Sequence, residues 1–291
     1  MITLIKQIRT YLNMSQAEFA QRLNVTFITV NRWENGWAQP NKLAQAKIYE
    51  VCKAGNVPVY DMTIEKIRRI ADDIVLSDGR ILLYHGSKSG IDGNIEPKSR
   101  PQCDFGRGFY MGTEASQALT LTCDYEQSKL YLISVDLTGL CVAEIPSDID
   151  WAMLVAFNRG KMESISGTPF YDKYRDVTRG KDIVIGSIAN DRMFYVIDNF
   201  FIGNITDSAL VNSLAALQLG KQYVAVSEKG CAAVRIEKEI EISWLERLFI
   251  KDVAEENRVK GVSLANDICR NHRREGLFFD ELIDRAKRGG T

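Results

Sequence analysis

The sequence predicts an α+β chain: an all-α head, a body whose strands and helices mix without regular alternation, and a helical C-terminal extension. Three observations carry this. Over the first sixty positions, apolar residues repeat at helical spacing between capping and turn residues. From about residue 80 to 242, short runs rich in β-branched and aromatic residues take over, separated by helical stretches. The length, 291 residues with 45% hydrophobic content, exceeds one ordinary domain and suits two packed cores.

In the head, Ile2, Leu4, Ile5, Ile8 and Leu12 mark a first helix that breaks at Asn13-Met14. Ser15-Gln16-Ala17-Glu18 is a capping box, a hydroxyl and a carboxylate three apart that satisfy each other's orphan amides. Phe19 and Leu23 follow it as the apolar pair of a second helix. Asn24-Val25-Thr26 makes a tight turn, and Thr26 caps a third helix reaching about Glu34, ended by Asn35-Gly36. Two short helices on a three-residue turn are the helix-turn-helix geometry. Charge agrees: residues 1–60 hold seven Lys/Arg against three Asp/Glu, while 61–230 hold 18 against 23. Only the head is suited to meet a polyanion.

The stretch SQAEFAQRLNVTFITVNRWENGWAQP resembles the Xre/phage-repressor helix-turn-helix family, through S-Q-x-x-x-A at the second helix and W-E-N-G after the third. The resemblance implies that the third helix enters the major groove with Thr26, Phe27, Ile28, Asn31 and Arg32 toward DNA, and that Gln16 anchors a phosphate or base edge. Phe27 and Ile28 are apolar for that role; they suit thymine methyls or, alternatively, a protein partner. The paired half-sites of such repressors imply a homodimer on the protein's own operator.

In the body, a helix over Ile64–Ile74 and the turn Ser77-Asp78-Gly79 lead to the strand RILLYHGS (80–87). KLYLISVDLT (129–138), DIVIGSI (182–188), KQYVAVS (221–227) and AAVRIEKEIEI (232–242) also read as strands. Helices are expected over 115–126, 148–159, 192–201 and 207–219, the last capped by Thr206 with Leu210, Leu214 and Leu217 on one face. The loop DFGRGFYMGT (104–113) combines glycines and aromatics beyond what a chain reversal needs. It lacks the Gly-Lys-Ser/Thr ending of a phosphate loop and the third glycine of a dinucleotide-binding fingerprint.

YHGS followed by FGRGFYMGT and a helix resembles the PARP/diphtheria-toxin branch of the ADP-ribosyltransferases. The chain is more closely similar to an uncharacterised bacterial family in that superfamily. The shared motifs are D-F-G-x-G-F-Y, then W-x-x-x-V-x-x-N-R (Trp151, Val155, Asn158, Arg159), then D-x-V-x-G-x-I-A-x-D (Asp182 to Asp191), and a later Gln222-Tyr223 strand. The resemblance implies a split β-sheet domain that uses NAD as its substrate, with no metal. It implies that His85 bonds the adenine-side ribose, that Gly86 and Ser87 contact the nicotinamide end, and that Tyr110 stacks on the nicotinamide ring. Phe105, Gly106, Gly108 and Phe109 would let the loop lie close to the dinucleotide, with Arg107 or Arg159 balancing the pyrophosphate and Asn158 beside them.

Gln222 stands where polymer-building relatives place a glutamate. Glutamine can orient a ribose hydroxyl but cannot deprotonate an acceptor, so single-unit transfer is expected rather than polymer synthesis. Glu228, six residues on, would reach the site only if the chain folds back. The expected reading is a mono-ADP-ribosyltransferase joined to a DNA-binding head, as a toxin–antitoxin or phage-defence component. Its partners would be a protein or nucleic-acid acceptor and an antitoxin protein. The alternatives are a transcriptional regulator whose pocket only senses NAD or ADP-ribose, and an NAD glycohydrolase.

The C-terminal extension opens on a second capping box, Ser243 to Glu246, and continues as amphipathic helices broken at Gly276. The expected divisions are 1–60 for the head, 61–79 for a linker helix, 80–242 for the body and 243–291 for the extension. Six cysteines at wide spacing without a C-x-x-C pair, and only two histidines, argue against zinc and against a disulfide framework. No apolar run reaches the ~18 residues of a membrane span. The expectation is a reduced, cytoplasmic protein.

Overall fold

The computed structural model describes residues 3–188, 191–216, 220–272 and 275–288. The chain divides into two compact units, Met1–Arg69 with Ser243–Ile250, and Ile70–Ile242 with Lys251–Thr291.

The first unit is helical: α1 (Leu4–Tyr11), α2 (Gln16–Leu23), α3 (Phe27–Glu34), α4 (Lys42–Ala54) and most of α5 (Val59–Asp72). Local chemistry sets each boundary. Thr3, Ser15, Thr26 and Asn41 accept backbone N–H bonds at the first turns of α1 to α4, and the Ser15–Glu18 capping box forms in full. Asn13, Asn24 and Asn56 take left-handed backbone angles at the helix ends, a conformation asparagine tolerates better than most side chains. Ile8, Phe19, Leu23, Val30, Trp33 and Ile48 fill the core, joined by Leu245 and Phe249. Those two come from the start of α12 (Trp244–His272), whose expected box forms between Ser243 and Glu246. The linker helix thus begins at Val59, five residues before its apolar pattern suggests. Ile2 lies outside the described residues.

The body carries one seven-stranded sheet in the order β4-β5-β6-β2-β1-β3-β7, built from β1 (Arg80–Ser87), β2 (Phe109–Gly112), β3 (Lys129–Asp136), β4 (Val142–Glu144), β5 (Ile183–Ser187), β6 (Lys221–Ala225) and β7 (Val234–Glu241). All neighbours are antiparallel except β4 and β5. Eight residue pairs join β1 to β3, but a single pair, Tyr84 with Gly112, joins β1 to β2. The sheet is therefore two ladders held together at one point. The body is α+β, as expected, with the split lying between β1 and β2.

Two apolar layers cover the sheet. On one face Leu83, Phe109, Met111, Tyr131, Ile133, Ile183 and Ala225 pack together. The other face buries Val184 and Val224 against Trp151 and its neighbours on α7 (Ile149–Asn158), with α8 (Pro169–Asp176), α9 (Asp191–Phe201), α10 (Asp207–Ala216) and α13 (Phe279–Lys287) contributing Tyr174, Phe200, Leu210 and Phe279. The short helices α6 (Ala115–Thr120) and α11 (Glu228–Ala232) follow β2 and β6. Thr206 Oγ1 accepts from Ala209 N at the start of α10. Leu217 and the side chain of Leu214 lie outside the described residues, as do Ala189 and Asn190 of the D-x-V-x-G-x-I-A-x-D motif. Gly276 takes a left-handed angle between α12 and α13. Among the described residues no helix is long and apolar enough to cross a membrane.

Candidate functional site

His85 sits at the split. Its Nδ1 lies 2.7 Å from the Tyr110 carbonyl oxygen, and its ring stacks on Phe109 at a centroid separation of 4.3 Å. A carbonyl only accepts, so Nδ1 carries the proton and donates, which leaves Nε2 with a free lone pair. Burial lowers the His85 pKa below the ordinary histidine value, although the Tyr110 carbonyl pulls the other way. The imidazole is therefore neutral at neutral pH. It takes the place of ladder hydrogen bonds that β1 and β2 do not make, and it presents an acceptor beside the opening.

A cavity of about 300 Å³ adjoins it, lined by His85, Ser87, Phe109 and Tyr110 and roofed by the loop from Gly90 to Ser99. The loop brings Asp92, Asn94, Glu96 and Lys98 to the same cavity. These four residues lie in a polar loop without a spacing signature, which carries no sequence signal. Glu228 does fold back, as the first residue of α11, but it lines an adjoining cavity with Asn94 and Glu96 and not the one at His85.

The side chains of the other two residues grouped with His85, Tyr110 and Gln222, point elsewhere, although the Tyr110 backbone lines the cavity. Antiparallel register places Tyr84, Gly112, Gln222 and Gly186 side by side across four strands, on one face. His85, one position on from Tyr84, is on the opposite face with Phe109. Gln222 is 7% exposed and donates its amide Nε2 to the Ser187 carbonyl at 2.8 Å. The same carbonyl accepts from the Trp151 indole at 3.3 Å. On His85's face the β6 residue is Tyr223. Tyr110 packs toward the Trp151 layer, and its hydroxyl accepts from Phe105 N at 3.0 Å and donates to Gly106 O at 2.8 Å. Burial raises the Tyr110 pKa well above the usual phenol value.

The remaining body residues of the resemblance interlock. Asn158 Nδ2 donates to Asp104 O and Leu154 O, and Arg159 pairs with the Asp104 carboxylate at 2.8 Å. Phe105 is 2% exposed in the core, and a Cβ on Gly186 would lie 2.6 Å from its ring. Gly106 has φ +76°, which excludes most side chains. A Cβ on Gly108 would overlap the Val224 side chain, and one on Gly86 would overlap the Ala118 carbonyl oxygen of α6. Ser87 Oγ closes a turn by donating to Gly90 O at 2.7 Å. Much of the glycine and aromatic content of 104–113 therefore serves to latch the loop to α7 and β6. Arg107 is exposed and lines a separate groove with Asn158, Lys181 and Ser227; Arg159 is committed to Asp104.

Replacing Tyr110 by Phe leaves the Phe105 N–H unpaired and the Gly106 carbonyl with only the longer bond from Ser99 Oγ. The expected cost is about 1–2 kcal/mol, read as a lowered urea midpoint. The lowered His85 pKa also makes the body pH-sensitive. Unfolded histidine takes up its proton near pH 6.5, the folded residue only at lower pH, so stability falls as pH drops through that window. Melting temperatures measured at pH 7.5 and 5.5 should separate in the wild type and converge in His85→Gln.

In the head, the sequence-assigned residues form an outward arc on α3. Phe27 and Ile28 are 51% and 67% exposed, Arg32 is exposed, and Asn31 accepts from Asn35. Thr26 caps the helix through Thr29 N. Gln16 instead turns its amide inward, donating to Glu34 Oε2 at 2.7 Å, beside the Arg9–Glu34 ion pair. Burial alone would raise the Glu34 pKa, but the bonds from Arg9 and Gln16 with the Arg9 charge lower it overall.

Fold and site together define a helix-turn-helix DNA-binding domain joined to an α+β body. A helix-turn-helix family model (HTH_3) matches residues 5–61. A second, described as "Protein of unknown function (DUF3990)", matches residues 81–236, more than half of the chain, and the chain belongs to that family. No curated protein and no solved structure gives a match.

Proposed function

We propose that the body binds NAD in the cavity at His85 and acts as a mono-ADP-ribosyltransferase, in a protein whose head binds DNA at its own operator. The observation that carries this reading is the neutral imidazole, fixed by the Tyr110 carbonyl and offering Nε2 beside a cavity at the sheet's split. A ribose hydroxyl is a suitable donor to that lone pair. In the reaction, the bond from ribose C1′ to the nicotinamide nitrogen breaks and nicotinamide leaves neutral. The acceptor's nucleophile bonds to C1′ and releases its proton to water. Gln222 is turned to the Ser187 carbonyl, and the carboxylates that line this cavity, Asp92 and Glu96, come from the Gly90–Ser99 loop instead. A toxin–antitoxin or phage-defence role, with an antitoxin partner and a protein or nucleic-acid acceptor, suits the pairing of such an activity with a repressor-like head. A cytoplasmic homodimer suits the same pairing.

A second reading has a specific observation in its favour. Gln222 is buried and bonded to Ser187, away from His85, so the pocket would bind NAD or ADP-ribose as a signal without turnover. Incubation of the full chain with NAD, followed by mass spectrometry of protein and small molecules, distinguishes them. An ADP-ribosyl adduct with released nicotinamide supports transfer, and free ADP-ribose supports hydrolysis. Calorimetric NAD binding without nicotinamide release selects sensing. Absence of both binding and release, unchanged in His85→Ala, refutes the NAD reading.

A further inference from the structure

We infer that Phe27 and Ile28 read thymine methyl groups, so that the operator is distinguished partly by apolar contact in the major groove. The inference rests on the head's DNA-binding reading and names how that site selects its sequence. These are the first two residues of α3, and the N-terminal residues of a recognition helix are those that reach base edges. Both stand clear of the core, while Val30, Trp33 and Glu34 occupy the inward side.

Charge favours DNA over an apolar protein partner. The outward arc of α3 carries Arg32 and no carboxylate. Its single acid, Glu34, is turned inward, 2% exposed at the side chain, and neutralised by Arg9. Arg22 on α2 and Lys42 at the start of α4 are also exposed. An apolar pair beside Arg32, with no acid exposed on α3 itself, matches a surface of phosphates and methyl groups. In the major groove the thymine C5-methyl is the apolar group that a phenylalanine or isoleucine can cover.

The test selects random duplexes with the full chain, then resynthesises the bound site with deoxyuridine replacing each thymine in turn. Deoxyuridine keeps every hydrogen-bonding group and removes only the methyl. Wild-type affinity should fall roughly fourfold at each contacted thymine, the effect of one buried methyl-sized group. Phe27→Ala and Ile28→Ala should each lose the thymine-over-uracil preference at the thymine that residue contacts, and the double variant at both, with helix content checked by circular dichroism. Arg32→Ala should weaken both duplexes while preserving their ratio. A wild type that binds both duplexes alike overturns the inference while leaving DNA binding intact. Selection of no duplex at all removes the DNA reading and the inference with it.

Discussion

Replacing Glu34 by Ala should cost the head about 3 kcal/mol and weaken DNA binding with it. Glu34 ends α3, yet its carboxylate is buried and takes three bonds: two from the Arg9 guanidinium, at 2.5 and 3.2 Å, and one from the Gln16 amide. The Arg9 side chain is only 15% exposed. Removing the acid strands that cation and the Gln16 amide together, which costs more than an exposed ion pair is worth. Glu34→Gln keeps an acceptor and loses the charge, so it should fall between wild type and Glu34→Ala. The direction with pH follows from the lowered Glu34 pKa. The contribution is complete above the unfolded carboxylate value, near pH 4.5, and disappears as pH falls through the lower folded value. Denaturant titrations of the full chain, followed by the near-ultraviolet signal of Trp33, would check both statements.

Replacing Gly86 by Ala should destabilise the body by about 2–3 kcal/mol, although a single methyl is added. The new Cβ would overlap the Ala118 carbonyl oxygen, with Ala118 C and Thr122 Cγ2 both at 3.0 Å. A backbone carbonyl cannot swing aside as a side chain can, so α6 as a whole would have to move away from β1. The sequence reading gives Gly86 a role at the nicotinamide end; the packing gives it an independent reason to be glycine. The two separate experimentally. A loss of thermal stability without NAD present reflects the helix, whereas NAD affinity lost at unchanged stability would place a ligand against the glycine.

The head was legible because its signals are local. Ser15 with Glu18, Asn24, and Thr26 act within three or four residues of themselves, so their spacing alone sets the helix ends. The strands after residue 80 were also legible where they are long and β-branched, but β2 and β4 were not. These two have only four and three residues, and their partners lie far off in sequence. The helix α8 was missed although Thr168 and Pro169 mark its start, because PFYDKYRD is largely polar.

The site shows the same division. The motifs around Asp104, Trp151, Asn158, Gly186 and Gln222 do converge in space. What sequence could not supply was the face. Alternation within a strand fixes that His85 opposes Tyr84, but only the cross-strand register, Tyr84 to Gly112 to Gln222, shows that Gln222 lies on the far side from His85. The loop from Gly90 to Ser99, which roofs the cavity, has no periodicity to read.

The central claim is that the cavity at His85 holds NAD through the Nε2 lone pair. A crystal of the full chain soaked with NAD tests it most directly. The account predicts the dinucleotide beneath the Gly90–Ser99 loop, with a ribose hydroxyl within hydrogen-bonding distance of His85 Nε2 and Nδ1 still on the Tyr110 carbonyl. A dinucleotide bound instead in the groove of Arg107 and Lys181, or no dinucleotide bound at saturating NAD, would contradict it.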